Sequence, residues 1–149
     1  MEGAMSKEEH FRKLEHMMHS APIVALMGAR AMISDGHAEI TIDIKKDLFH
    51  AAGALHGAVY FLALDNAAFF AVNSLVEDVF VLTKSFEVKF IRPVSSGSIK
   101  ALGRVTNESG KEFIAESVLY NSDKEVIARG SGSFVRGKTN LTPEIGYKY

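Results

Sequence analysis

Residues 57–73 read GAVYFLALDNAAFFAVN, and Asp65 stands in the middle of that otherwise apolar run. An ionised carboxylate buried without partners is so costly that its pKa shifts instead. Packing gives no reason for an aspartate, and its helix propensity in an interior is poor. Two readings are open. The carboxylate faces a solvent channel or organises a loop, or it acts on a substrate as general base or nucleophile. Asn66 beside it carries the same ambiguity, a structural amide or a substrate contact. His56 and Gly57 stand at the start of the run, His56 nine positions before Asp65. At the start of a helix the backbone N–H groups lack intrahelical acceptors and suit a developing oxyanion. Gly57, without a Cβ, lets a carbonyl come close. His56 donates a hydrogen bond to a substrate or merely caps the loop. His50 lies six positions earlier in the same loop, and Thr83 lies in the next extended stretch. Neither draws notice alone.

Other chemistries find no support. The chain has no cysteine, which removes disulfides, thiolate metal sites and a cysteine nucleophile and fits a reducing compartment. The six histidines form no metal set. His10, His16 and His19 fall on an N-terminal helix read as exposed, where the His16/His19 pair is a solvated face. There is no Gly-rich phosphate loop and no G-x-S-x-G elbow. A net charge of −1 offers no global basic field for nucleic acid. The N-terminus lacks the apolar stretch of a signal peptide, and Asp65, Asn66 and Asn73 argue against a membrane span. A soluble cytoplasmic protein without metal is expected.

The elements that must position these residues can be read from pattern. A chain of 149 residues with 47% hydrophobic and 23% charged residues fits one globular domain with one core. Residues 6–20 read as a helix capped by Ser6, with Phe11, Leu14, Met17 and Met18 at helical spacing, and Pro22 stops or redirects it. Strands are expected at 28–34 and 37–44, joined by an Asp35-Gly36 hairpin turn. After a loop at 45–55, the run from Gly57 to about Asn73 is apolar nearly all round, so it reads as a buried central helix. Strands at 79–92, 99–106, 111–120 and 125–135 follow, joined by turns and read as an antiparallel meander. Residues 137–149 read as a loosely held polar tail. The sum is an α+β hotdog fold, an antiparallel sheet wrapped around one long helix. It forms a single domain over 1–149, with a helical extension at 1–21 and the tail at 137–149.

At this level of detail the residues resemble a known family. Leu55-His56-Gly57-Ala58, followed by Leu62-Ala63-Leu64-Asp65-Asn66-Ala67, is similar to the HGG…(L/A)xD signature of hotdog acyl-CoA thioesterases, including its nine-residue step. Residues 86–94 with Gly97 resemble that family's xxFxRPV…G segment, and 128–134 its A…GxF ending. The likeness covers residues 22–136 and points to the phenylacetyl-CoA thioesterase-like branch. It implies that Asp65 is general base or nucleophile on the thioester carbonyl and that the Gly57 N–H is the oxyanion donor. His56 then positions the thioester, and Thr83 falls where relatives carry a Ser or Thr that assists the attacking water. The resemblance also implies a homodimer or homotetramer with the site at the dimer interface, where Asp65 meets the His50/His56 loop of the other subunit. Acyl-CoA is then the substrate and no separate cofactor is needed. Arg92, Lys111 and Arg136, at strand ends or turns, are candidates for the CoA phosphates, and Asn66 for a further substrate contact. Two positions depart from the pattern. Ala58 replaces the second glycine, and His50 stands where the branch has asparagine, introducing a side chain that titrates near neutral pH. Two rivals remain, a hydratase or dehydratase on the same fold using His50 with Asp65, and a non-catalytic acyl-CoA-binding module.

Overall fold

The apolar run forms one helix, α3 (Gly57–Asn73), with Val59, Leu64, Ala67, Ala68 and Val72 buried against a curved sheet. The computed structural model describes residues 5–149; residues 1–4 of the expected extension lie outside them. Six strands make one antiparallel sheet: β1 (Arg30–Ser34), β2 (His37–Asp43), β3 (Val79–Phe90), β4 (Ser98–Glu108), β5 (Glu112–Tyr120) and β6 (Val126–Asn140). Their order is β1-β2-β4-β5-β6-β3. The α+β hotdog arrangement is therefore present. In β5 the alternation is complete: Phe113, Ala115, Ser117 and Leu119 are buried while their neighbours are partly exposed. None of the described helices is long and apolar enough to cross a membrane.

Small residues let the sheet approach the middle of α3. Gly103 on β4 pairs with Ser117 on β5. A Cβ on Gly103 would lie 2.3 Å from the Ala67 carbonyl group, so only glycine fits. Ser117 Oγ donates to the Leu64 carbonyl at 2.8 Å. The helix is thus pinned to the sheet one residue before Asp65.

The four-strand meander is corrected. β3 pairs with β6, not β4. Residues 91–97 carry the chain from the β3 edge to β4, past β6 and β5 in the sheet order. A seven-residue connection is longer than a hairpin turn, and its Pro93 cannot donate to a ladder. Asn73, fully buried, shapes the turn from α3 into β3: its amide donates to the Val76 and Val79 carbonyls, and its Oδ1 accepts from Val81 N–H.

Both terminal segments of the described residues are held more firmly than their composition suggests. Pro22 does not end the helical region; it begins a second helix, α2 (Pro22–Met27), after α1 (Lys7–Ser20), because proline is well placed in a first turn. The expected loose tail is corrected too: β6 runs on to Asn140, a tight helical turn follows at Pro143–Ile145, and Tyr147 is buried. Of the N-terminal histidines, His19 is exposed as expected, but His10 and His16 are not solvated. His10 is fully buried and donates from Nε2 to the Asn73 carbonyl at 2.9 Å, leaving Nδ1 to accept from the Tyr147 hydroxyl at 2.6 Å. His16 Nδ1 reaches the Gly146 carbonyl at 2.8 Å. Tyr147 keeps its proton: burial first, then the charges of Glu77 and Glu9, push it up to about 12. Tyr147→Phe is expected to lower stability by about 1–3 kcal/mol, the cost of leaving the buried His10 nitrogen unpaired. The midpoint of urea denaturation checks it.

The two edges of the sheet are treated differently. At β1, α1 supplies side chains to the free backbone: Glu15 accepts from Ile33 N–H at 2.7 Å, His19 Nε2 from Ala31 N–H at 3.1 Å, and Arg12 donates to the Ile33 carbonyl at 2.8 Å. At the other end stands β3, and no strand among the described residues pairs beyond it. Leu82 and Phe90 on β3 are about half exposed, as is Ile91 just after it.

Candidate active site

The start of α3 is built by a short, cross-braced loop. Leu55 N–H donates to the Val94 carbonyl and His56 N–H to the Leu48 carbonyl, each at 2.9 Å. His56 is the N-cap: its backbone is extended and its Nδ1 accepts from Ala58 N–H at 2.9 Å. His50 is held similarly, its Nδ1 accepting from Ala52 N–H at 3.1 Å. With Nδ1 occupied as acceptor, each neutral ring carries its proton on Nε2 and presents a donor. The ring centroids are 6.5 Å apart. Neither ring in this state has a free lone pair with which to act as a base.

Gly57 is the first residue of α3, where no helix carbonyl reaches its N–H. It lines a groove of about 320 Å³ with His50, Tyr60, Phe90, Arg92 and Pro93 among its walls. Phe90 stands so near that a Cβ on Gly57 would be 3.2 Å from its ring. The Tyr60 hydroxyl donates to the Arg92 carbonyl at 2.7 Å, tying the helix to the 91–97 connection.

Asp65 lies two turns further along. It is half-buried, and its Oδ1 accepts from the Thr83 hydroxyl at 2.9 Å. A register shift between Thr83 and Ser85 interrupts the pairing of β3 with β6 at this level. Burial holds the Asp65 carboxyl above the usual carboxylate range, and the Thr83 hydrogen bond opposes that by favouring the charged form. A base must be deprotonated, so activity is expected to fall as pH drops through this raised value. Thr83→Val removes the opposing bond, so the acid limb of a kcat/KM profile is expected to move to higher pH.

The other predicted residues separate along the sheet. Asn66 is half-exposed beside Asp65. Arg92 stands on the rim of the Gly57 groove, 3.9 Å from Glu125. Lys111 and Arg136 lie near the opposite, Thr83 end, where Thr83 pairs with Phe134 and Phe134 with Phe113. Arg136 is already held by Asp78 at 2.6 Å. One copy therefore does not bring the three basic residues together. Tyr60 and Phe90, which shape the groove, carry no sequence signal of their own beyond their nearness to Gly57 and the Arg-Pro segment. Among the described residues no group of three or more His, Asp or Glu side chains is placed to hold a metal ion.

The thioesterase superfamily model matches residues 52–128, more than half of the chain and the whole of α3 with both candidate groups. The chain belongs to that superfamily, whose reaction class is hydrolysis of thioesters or esters. Its fold is shared with the PaaI protein of the E. coli phenylacetic acid degradation operon at a TM-score of 0.81, with 18% identity over 91% of this chain and 99% of that one. A thioesterase family protein from Silicibacter pomeroyi is similar at a TM-score of 0.78, with 24% identity over 89% of this chain and 100% of the other. A provisionally named esterase of Sulfurisphaera tokodaii is 28% identical over 130 residues, 86% of this chain and 95% of that protein.

Proposed function

We propose that the protein hydrolyses acyl-CoA thioesters to a free acid and CoA, with Asp65 of one copy and Gly57 of a second copy forming each site. The observation that carries this reading is a distance. Gly57 and Asp65 are eight residues apart on one straight helix, about 12 Å at 1.5 Å per residue. A carbonyl held at the Gly57 N–H is out of reach of the Asp65 carboxylate of the same chain. Two copies related by a two-fold axis, with their α3 helices antiparallel, bring the partner's Gly57 to Asp65 and create two equal sites. The unpaired edge of β3 and its exposed apolar residues support such a partner.

In this arrangement Asp65 takes a proton from water while the water oxygen attacks the thioester carbon. The charge on the carbonyl oxygen meets the partner's Gly57 N–H, and the His56 Nε2–H stands by as a further donor. The C–S bond then breaks and the proton returns from Asp65 to the departing CoA sulfur. A carboxylate of raised pKa is the better base, which favours this role over direct attack. Arg92 of the copy that supplies Gly57 rims the groove on the CoA side.

A panel of acyl-CoA substrates read by thiol release tests the proposal, with hydration of crotonyl-CoA followed alongside. Thiol release is expected. Hydration without thiol release would assign the site to a hydratase, although the Nδ1 bonds of His50 and His56 leave those rings without a free base. Binding with neither reaction would leave a binding module.

A further inference from the structure

We propose that Phe61 of the two copies meets on the two-fold axis and forms a common wall between the two acyl pockets, limiting the enzyme to compact acyl groups. This rests on the shared-site reading above. The position follows from symmetry. If Asp65 of each copy lies level with Gly57 of the other, the axis crosses α3 halfway between them, at residue 61. Residues 57, 61 and 65 stand four apart, so they share one face of the helix.

The residue at that position is a phenylalanine whose surface is 42% exposed, although it sits on the most apolar helix of the chain. It is firmly backed. Its ring meets Phe86 of β3 edge to face at a centroid distance of 5.5 Å, and Phe86 in turn meets Phe134 of β6 at 6.3 Å. Gly130 and Gly132 on β6 make room for Phe86, since a Cβ on either would lie 2.6 Å from its ring. Phe61 is thus one end of a braced aromatic row, and its outer face points where the second copy must lie.

The direction of the acyl chain is set by the CoA. In the proposed site the thioester sulfur leads out through the groove lined by Gly57, Phe90 and Arg92. The acyl group on the other side of the carbonyl must therefore run inward, toward the axis. From the reacting level to the axis is half the helical separation, about 6 Å. Beyond it lies the pocket of the other site. The pair of Phe61 rings closes both pockets at once.

The test has two readouts. Because the chain has no cysteine, Phe61→Cys introduces a single thiol. A short bis-maleimide is expected to join two copies through it, while Ser109→Cys, in the β4–β5 turn, does not cross-link. In thiol-release assays, Phe61→Ala is expected to raise the kcat/KM ratio of dodecanoyl-CoA over butyryl-CoA at least ten-fold, and the milder Phe61→Leu to raise it less. A dimer that fails to cross-link at position 61, or an unchanged chain-length profile in both variants, overturns the wall even if Asp65→Asn is inactive. A monomeric protein, or full activity in Asp65→Asn, overturns the shared-site reading itself.

Discussion

Asp65→Asn is expected to lower thiol release by roughly 10²–10⁴-fold, the usual contribution of a positioned general base, while the protein stays at least as stable. The two side chains have the same shape, and the asparagine carbonyl can still accept from Thr83, which holds the carboxylate at 2.9 Å. What is lost is the ability to take a proton. The stability half follows from the sign of the pKa shift. Burial raises the Asp65 carboxyl, so the ionised form is worse off in the folded protein than in the unfolded chain. Above the unfolded pKa this destabilises the fold, and a neutral amide removes the effect. Thermal unfolding at neutral pH is thus expected at the same temperature or higher. Loss of turnover with retained stability separates a chemical role from a structural one. Full turnover in Asp65→Asn would remove the residue from the mechanism.

Gly57→Pro is expected to cost about 10²–10³ in kcat, the effect of removing one oxyanion donor at ~2.7–4 kcal/mol. Proline deletes the N–H and adds a ring whose Cβ meets the edge of Phe90 at 3.2 Å. Gly57 is the first helical residue, the position where proline is best tolerated, and the preceding His56 already has φ −67° and ψ 139°, the extended form that a residue before proline adopts. Gly57→Ala is the control, because it keeps the N–H and adds only a Cβ, 3.2 Å from the edge of Phe90. Its loss is expected to be at least ten-fold smaller. Mixing the two inactive chains adds a decisive measurement. In a mixed dimer one site joins the intact Asp65 of the proline variant to the intact Gly57 of the asparagine variant. Activity is therefore expected to return on mixing, and a site confined to one chain would show no such recovery.

Much of this was visible in local pattern, and the rest depended on contacts that local pattern does not encode. Asp65 stood out because it interrupts an apolar helix, and the hairpin declared itself by the Asp35-Gly36 pair between two extended runs. The placement of β3 did not. Most of its residues are exposed, with only Val81 buried, so no in–out rhythm tells which neighbour it joins. Its partner is set by a crossover rather than a turn. The docking of α1 was legible but passed over: His10 lies on the same stripe as Leu14 and Met17, so the spacing that buries those residues buries the histidine too. Arg136, by contrast, is engaged by an aspartate 58 positions away, which no reading of its surroundings in the chain reveals. The two candidate groups, Gly57 and Asp65, were both singled out in sequence. Their separation along α3 became meaningful only as a length.

The unequal edges of the sheet also bear on how the proposed pairing can grow. A subunit with two reactive ends grows into a filament, whereas a subunit with one can only pair. The hydrogen bonds from Arg12, Glu15 and His19 act as an end-cap on β1, so two copies that meet through β3 present no further end for growth. In the proposed two-copy assembly the N-terminal helix is in that sense the chain terminator.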